Sequence, residues 1–264
     1  MSETSAWQKL NEQFLKDLRE EGLEPAIEGQ DNLAKRQPIF HGSLAGAPLK
    51  PHPIMVIGIN WGGSGASDPY SYYWDMKEPD IGQLGAGRGF SDQIVKIFRS
   101  ALGIENDQIK RILAQDTFWT NRSLVRTPDI KTSLKLLMAA SAPSEKVLSE
   151  MIYAVKPKTI LCFGNGKAHS PSDFVLGKLC EIPDWRNNGF PFPIPMGKRK
   201  TQAILYEAQK LRGKVGYNQV SLDVPSIWSF PHPLYWHTVL CKNPALMKAL
   251  AKTLRASQPG SLIK

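Results

Sequence analysis

Cysteine is scarce in this chain. Its 264 residues include only Cys162, Cys180 and Cys241, and no two of them form a C-x-x-C pair. A structural zinc, an iron–sulfur cluster and a disulfide framework are therefore not expected. Long apolar runs are also missing. The longest uncharged one, Ile54 to Trp61, is far short of the roughly 20 residues a membrane span needs. The first residues, MSETSAWQKLNEQ, carry acidic groups and no apolar stretch, so no secretory signal is expected. These features predict a cytoplasmic protein with no membrane partner. Several catalytic signatures are absent too. The chain has no H-E-x-x-H, no G-x-S-x-G elbow and no Lys-Ser/Thr of a phosphate-binding P-loop. Gly85-Ala-Gly-Arg-Gly89 misses the dinucleotide spacing and follows no strand. No paired carboxylates stand near a strand end, as a hydrolase or glycosidase acting on nucleosides or another small substrate would be expected to offer.

What the chain has is positive charge. Thirty-three Lys and Arg face 24 Asp and Glu, for a net +9 and a pI near 9.4. Such a chain is drawn to nucleic acid or another polyanion, although a basic surface also serves plain solubility. Hydrophobic residues make up 42%, enough for a packed core. The length suits one domain over residues 1–264, with an N-terminal helical extension to about residue 50.

The periodicity alternates between helix and strand, which predicts an α/β fold. Residues 5–20 read as an amphipathic helix on Trp7, Leu10, Phe14 and Leu18. Four strands are expected at 54–59, 117–120, 159–163 and 226–230. Between them lie a helix capped by Ser91 and stopped by Gly103, a shorter one near 105–114, and one opened by Pro143. Asn243-Pro244 should cap a last helix carrying Leu246, Met247, Leu250 and Leu254. Each strand runs into a polar or glycine-rich turn. Open parallel sheets bind ligands beyond the carboxyl ends of their strands. Attention therefore falls on Asn60, Asn121, the turn at Gly164, and His232.

Asn60 follows a buried strand and opens a glycine-rich turn, where an amide can hold a water or a substrate. Asn121 offers one acceptor and two donors in a fixed plane, which suits reading a base edge, and equally suits a turn or a cap. His232 stands between Pro231 and Pro233, a stiff setting for a donor to a growing negative charge or simply for a half-buried surface histidine. Tyr70, Tyr72, Tyr73 and Trp74 fill a long loop and are either core or a stacking surface.

Taken in order, four segments resemble the uracil-DNA glycosylase superfamily. Gly58-Ile-Asn-Trp-Gly62 is similar to its first motif. Thr117-Phe-Trp-Thr-Asn-Arg-Ser-Leu-Val-Arg-Thr-Pro128 resembles the strand carrying its base-reading Asn. Lys156-Pro-Lys-Thr-Ile-Leu-Cys-Phe-Gly164 and Phe230-Pro-His-Pro-Leu-Tyr235 resemble its later strand and last motif. The resemblance covers about residues 53 to 240. It implies a three-layer α/β/α fold on a central, mostly parallel four-stranded sheet. It also implies a monomeric repair enzyme that flips uracil, or a related damaged base, out of DNA and hydrolyses its N-glycosidic bond without a cofactor or metal. DNA carrying uracil or an abasic site is the implied partner. By this resemblance Asn60 positions the attacking water and His232 stabilises charge on the uracil O2. Asn121 pairs with the base, Phe90 stacks on it (with Tyr70 in reserve), and Gly58, Ile59 and Trp61 line its pocket. Gly62, Arg122 and Arg126 would meet the DNA, and Leu234, Tyr235 and Trp236 would wedge into the duplex. The sequence departs from the family's pattern in three places. Trp61 replaces a usual Pro, Leu234 replaces a usual Ser, and the first motif has no Asp. A non-catalytic nucleic-acid-binding protein on the same fold, and a hydrolase of small N-glycosides, are the alternative readings.

Overall fold

The computed structural model describes residues 3–23, 49–59, 90–124, 137–165, 169–196, 199–215, 218–232 and 239–258. Helix α1 (Glu3–Glu20) leads to strand β1 (Ile54–Gly58), helices α2 (Phe90–Leu102) and α3 (Asn106–Arg111), and strand β2 (Thr117–Asn121). Helix α4 (Ser141–Val155), strand β3 (Thr159–Phe163), the long strands β4 (Phe190–Met196), β5 (Arg199–Val215) and β6 (Asn218–Phe230), and helix α5 (Pro244–Ser257) complete the order.

All strands join one six-stranded sheet in the order β2-β1-β3-β6-β5-β4. The pairs β2–β1, β1–β3 and β3–β6 are parallel, and β6–β5 and β5–β4 are antiparallel. The expected α/β class holds, and the expectation of a four-stranded sheet is corrected to a mixed sheet of six. The four strands read from the sequence form its parallel part. Strands β4 and β5 were not anticipated, nor was the first half of β6.

β1, β2 and β3 are buried at all five positions each, which is why they read as short uninterrupted apolar runs. Their side chains alternate between two cores. Met55, Ile57, Phe118, Ile160 and Cys162 pack with Phe14 and Leu18 of α1 and with Val147, Leu148, Met151 and Ile152 of α4. Ile54, Val56, Trp119, Leu161 and Phe163 pack with Ile94, Ile97 and Phe98 of α2 and with Leu246, Leu250 and Leu254 of α5. Each fully buried large side chain contributes about 1.5–3 kcal/mol by leaving water. Helix α1 thus belongs to the core through one face. Helix α2 begins at Phe90, so Ser91 lies inside it rather than capping it. Asn243 does cap α5, its side chain accepting from the Leu246 amide, with Pro244 in the first turn. Among the described residues no helix is long and apolar enough to cross a membrane.

The antiparallel strands hid in the sequence for two reasons. β4 reads Phe-Pro-Phe-Pro-Ile-Pro-Met, and proline argues against a strand. Here β4 is the sheet edge, and Pro191, Pro193 and Pro195 fall on alternate positions. In an antiparallel strand the N–H and C=O of one residue point to the same side. The donors of β4 therefore all sit on the residues that pair with β5, and the outer edge carries carbonyls without a donor, of which that of Pro193 accepts from the Asn243 amide at 3.1 Å. That blunts strand-to-strand association. The second reason is a change of face along the hairpin. Ile204 and Tyr206 face the α1/α4 core, as does Leu211, so the inward parity changes between 206 and 211. The change falls at Ala208, held at φ +51° in the left-handed region, while the register with β6 is the same on both sides. Opposite it stands Pro225, which has no N–H to give. Past this point the hairpin closes over α4. A Cβ on Gly213 would lie 2.8 Å from Ser149 Oγ and 2.9 Å from the Tyr153 ring, so only glycine lets the strand approach this closely.

Replacing Pro191 and Pro193 with threonine restores two outward donors on the β4 edge. The double variant is expected to form dimers or larger species at concentrations where the parent does not, as read by light scattering after size exclusion. Unchanged mass would show that the edge is protected by something other than its prolines.

Candidate functional site at the carboxyl edge of the sheet

The parallel strands end side by side, and their tips are tied together. Pairing continues past β1 and β2, since the Arg122 amide donates to the Gly58 carbonyl and the Ser123 amide to that of Ile59, both at 2.9 Å. The Gly164 amide, just past β3, donates to the Phe230 carbonyl at the end of β6, at 2.8 Å. Gly164 has φ +125°, and a Cβ there would fall 2.7 Å from two side-chain carbons of Ile59. The first motif therefore rests directly on the glycine that ends the third. Ser229 Oγ donates to Ser172 Oγ at 2.8 Å, below the same turn.

Asn121 closes β2 opposite Gly58. It is buried, yet among the described residues its amide makes no hydrogen bond. By strand alternation it shares the face of Trp119, the side covered by α2 and α5. His232 stands two residues past β6 and is half-buried. Burial lowers its pKa below the ordinary histidine value, so the imidazole is neutral near pH 7. Three strand spacings separate the β2 and β6 tips, roughly 14 Å between backbones.

Phe90 opens α2, and the other end of that helix fixes where it lies. Arg255 of α5 donates to the Leu102 carbonyl at the end of α2, and Ser257 meets Thr159 at the start of β3. Both helices therefore finish at the amino edge of the sheet. Phe90 consequently begins at the carboxyl edge, on the side of Asn121. Asn60, Trp61, Gly62, Tyr70, Arg126, Leu234, Tyr235 and Trp236 lie outside the described residues, as does the side chain of Phe90.

Arg122 does not stand where a DNA contact requires. It is 3% exposed, and its guanidinium points into the protein. It is ion-paired with Glu145, donates to Ser141 Oγ at 3.1–3.2 Å, and donates to His169 Nδ1 at 2.9 Å. Lys178 also reaches Glu145, at 2.7 Å. Burial pulls the Arg122 pKa down, and the charges of Glu145 and Asp173 oppose this. The physical reason for the correction is alternation. Arg122 follows Asn121 and takes the opposite face, where the amino end of α4 supplies its partners. Sequence reasoning missed this cluster because Glu145 and His169 lie 23 and 47 residues from Arg122. No local spacing announces them.

His169 accepts from Arg122 at Nδ1, so its proton sits on Nε2. Burial and the adjoining Arg122 charge lower its pKa from 6.5 to about 4. Among the described residues no His, Cys, Asp and Glu side chains cluster as a metal site would need. Comparison with protein-family models, with curated proteins and with solved structures finds no match.

The His169 shift has a pH consequence. Below pH 6.5 the unfolded chain binds a proton at this histidine that the folded chain refuses. Stability at this site is therefore fully present above pH 6.5 and falls as pH drops toward 4, by roughly 3 kcal/mol in total. His169→Gln keeps an acceptor for Arg122 and removes the titration. Urea denaturation of the variant is expected to lose stability less steeply than the parent between pH 6.5 and 4. Parallel curves would mean that His169 does not titrate this way.

Proposed function

We propose that the chain is a DNA glycosylase that excises uracil, or a related damaged base, by hydrolysing the N-glycosidic bond. The observation that carries this reading is the strand order. β2, β1, β3 and β6 lie side by side and parallel, so the four segments that resemble the family's motifs converge on one edge. The tips of β1 and β3 touch through Ile59 and Gly164. An Asn amide without a described partner stands at one end of this row and a neutral histidine at the other.

The chemistry follows from these groups. Uracil presents an acceptor at O4 and a donor at N3. The Asn121 amide matches both, its NH₂ toward O4 and its carbonyl toward N3–H. Cytosine presents a donor and an acceptor in the reverse order. A buried mismatch of this kind costs several kcal/mol, enough for strong discrimination. As the bond from N1 to C1′ lengthens, its electron pair passes into the uracil ring and negative charge gathers on O2. A neutral His232 can donate a hydrogen bond to that oxygen without first losing a proton. Water adds to C1′ and completes the hydrolysis, and the resemblance gives its orientation to Asn60. The net charge of +9 supplies long-range attraction to the phosphate backbone.

The test is uracil release from a single-stranded oligonucleotide, with a matched cytosine oligonucleotide as control. Asn121→Asp is expected to lose uracil release and to gain weak release of cytosine, because a carboxylate repels O4 and accepts from the cytosine amino group. His232→Ala is expected to cost about 2.7–4 kcal/mol in the single-turnover rate, a loss of roughly 10²–10³-fold, with little change in affinity. A parent that binds the uracil oligonucleotide and releases nothing favours the non-catalytic reading instead.

A further inference from the structure

The chain's positive charge is unevenly placed. The last acidic residue is Asp223, and residues 224–264 contain none, while they hold Lys242, Lys248, Lys252, Arg255 and Lys264. Three of these form a stripe on α5. Lys248, Lys252 and Arg255 recur at i, i+4 and i+7 and are exposed, whereas Leu246, Leu250 and Leu254 of the same helix are buried against the sheet. The neighbouring α2 adds an exposed Arg99 and the partly buried Lys96, and its one acidic residue, Asp92, is buried. Among the described residues Lys242, Lys248 and Lys252 take part in no ion pair. The opposite layer differs. On α1 and α4, Lys16 faces Glu20 and Lys146 faces Asp17, so charge there is largely balanced.

We infer that the outward face of α5 is a phosphate-binding track for single-stranded nucleic acid leaving the carboxyl edge. Helix α5 starts near that edge, ends at the amino edge beside Thr159, and covers about 21 Å at 1.5 Å per residue. It lies on the face of the sheet that Asn121 shares. The stripe therefore begins at the carboxyl end of the sheet, where the Asn243 side chain donates to the Pro193 carbonyl of β4 beyond β6, and runs down the side of the molecule toward the start of β3. A duplex lying on the carboxyl edge is too stiff to turn down that side, with a persistence length of about 150 base pairs. A single strand turns readily. A lipid surface fits poorly, because a membrane-binding helix inserts its apolar face and that of α5 is already buried in the core. The track rests on the glycosylase reading only for the position of the target base.

The test compares unmodified oligothymidylates of 6 and 20 nucleotides by fluorescence anisotropy across a salt series. The variant is Lys248→Glu/Lys252→Glu, and the control Lys16→Glu/Lys214→Glu makes the same charge change at exposed residues elsewhere. For the 20-mer, the α5 variant is expected to lose on the order of tenfold in affinity, and the slope of log K against log salt should fall by about 1.4. The 6-mer should bind nearly as before, and the control should keep the parent slope. Equal losses in the α5 variant and the control would overturn the track. So would an unchanged 20-mer affinity, whether or not binding to phosphatidylserine vesicles is lost. Uracil release from a 6-mer separates this idea from the functional reading. If the parent releases no uracil yet the 20-mer effect is present, the track stands and the glycosylase reading falls.

Discussion

β1 is the constraint on which the rest of the molecule depends. Its five residues are fully buried, and it is hydrogen-bonded along both edges, to β2 on one side and β3 on the other. A strand with no exposed face and no free edge has one register open to it, because a slip of one residue would move every side chain to the wrong core. Fixing β1 fixes Gly58 opposite Asn121 and brings Ile59 onto Gly164. The candidate site is thus set by a strand buried along its whole length. Its chemistry sits on strand tips, where rigid sheet gives way to turns free to specialise.

The central parallel strands were legible because burial on both faces leaves a plain mark, as in Ile-Met-Val-Ile and Thr-Ile-Leu-Cys-Phe. Asn243-Pro244 likewise announced α5 through cap chemistry. The antiparallel edge was not legible. In β4 the prolines that look like strand breakers serve an edge that needs no outward donors, and in β5 the flip near Ala208 breaks the alternation that identifies a strand. Asn121 and His232 were singled out by their position after buried strands. Arg122 was assigned outward, because a sequence shows that a charge exists but not which distant carboxylate meets it. Glu145 and His169 come to it from α4 and from the turn after β3, through tertiary packing that no local pattern encodes.

Charge therefore does two separate jobs. Inside, Arg122 and Glu145 join the β2 tip to the amino end of α4, and the half-exposed Lys178 of the helical turn Asp173–Leu179 reaches Glu145 from the surface. Removing one partner of a buried pair leaves a charge without compensation, so this cluster holds the edge in one arrangement. Outside, α5 and its approach carry Lys242, Lys248 and Lys252, which take part in no ion pair among the described residues. Internal ion pairs leave the net +9 unchanged, since each cancels one charge of either sign, and residues 224–264 contribute only cations to it.

A crystal structure with a single-stranded oligonucleotide carrying 2′-fluoro-deoxyuridine, whose fluorine slows bond cleavage, tests the glycosylase reading at the site itself. The uracil ring is expected between the tips of β2 and β6. Asn121 Nδ2 should lie about 3 Å from O4, and a His232 ring nitrogen within hydrogen-bond reach of O2. A nucleotide bound elsewhere, or a uracil whose O4 and N3 face other groups while the Asn121 amide stays unengaged, would contradict it.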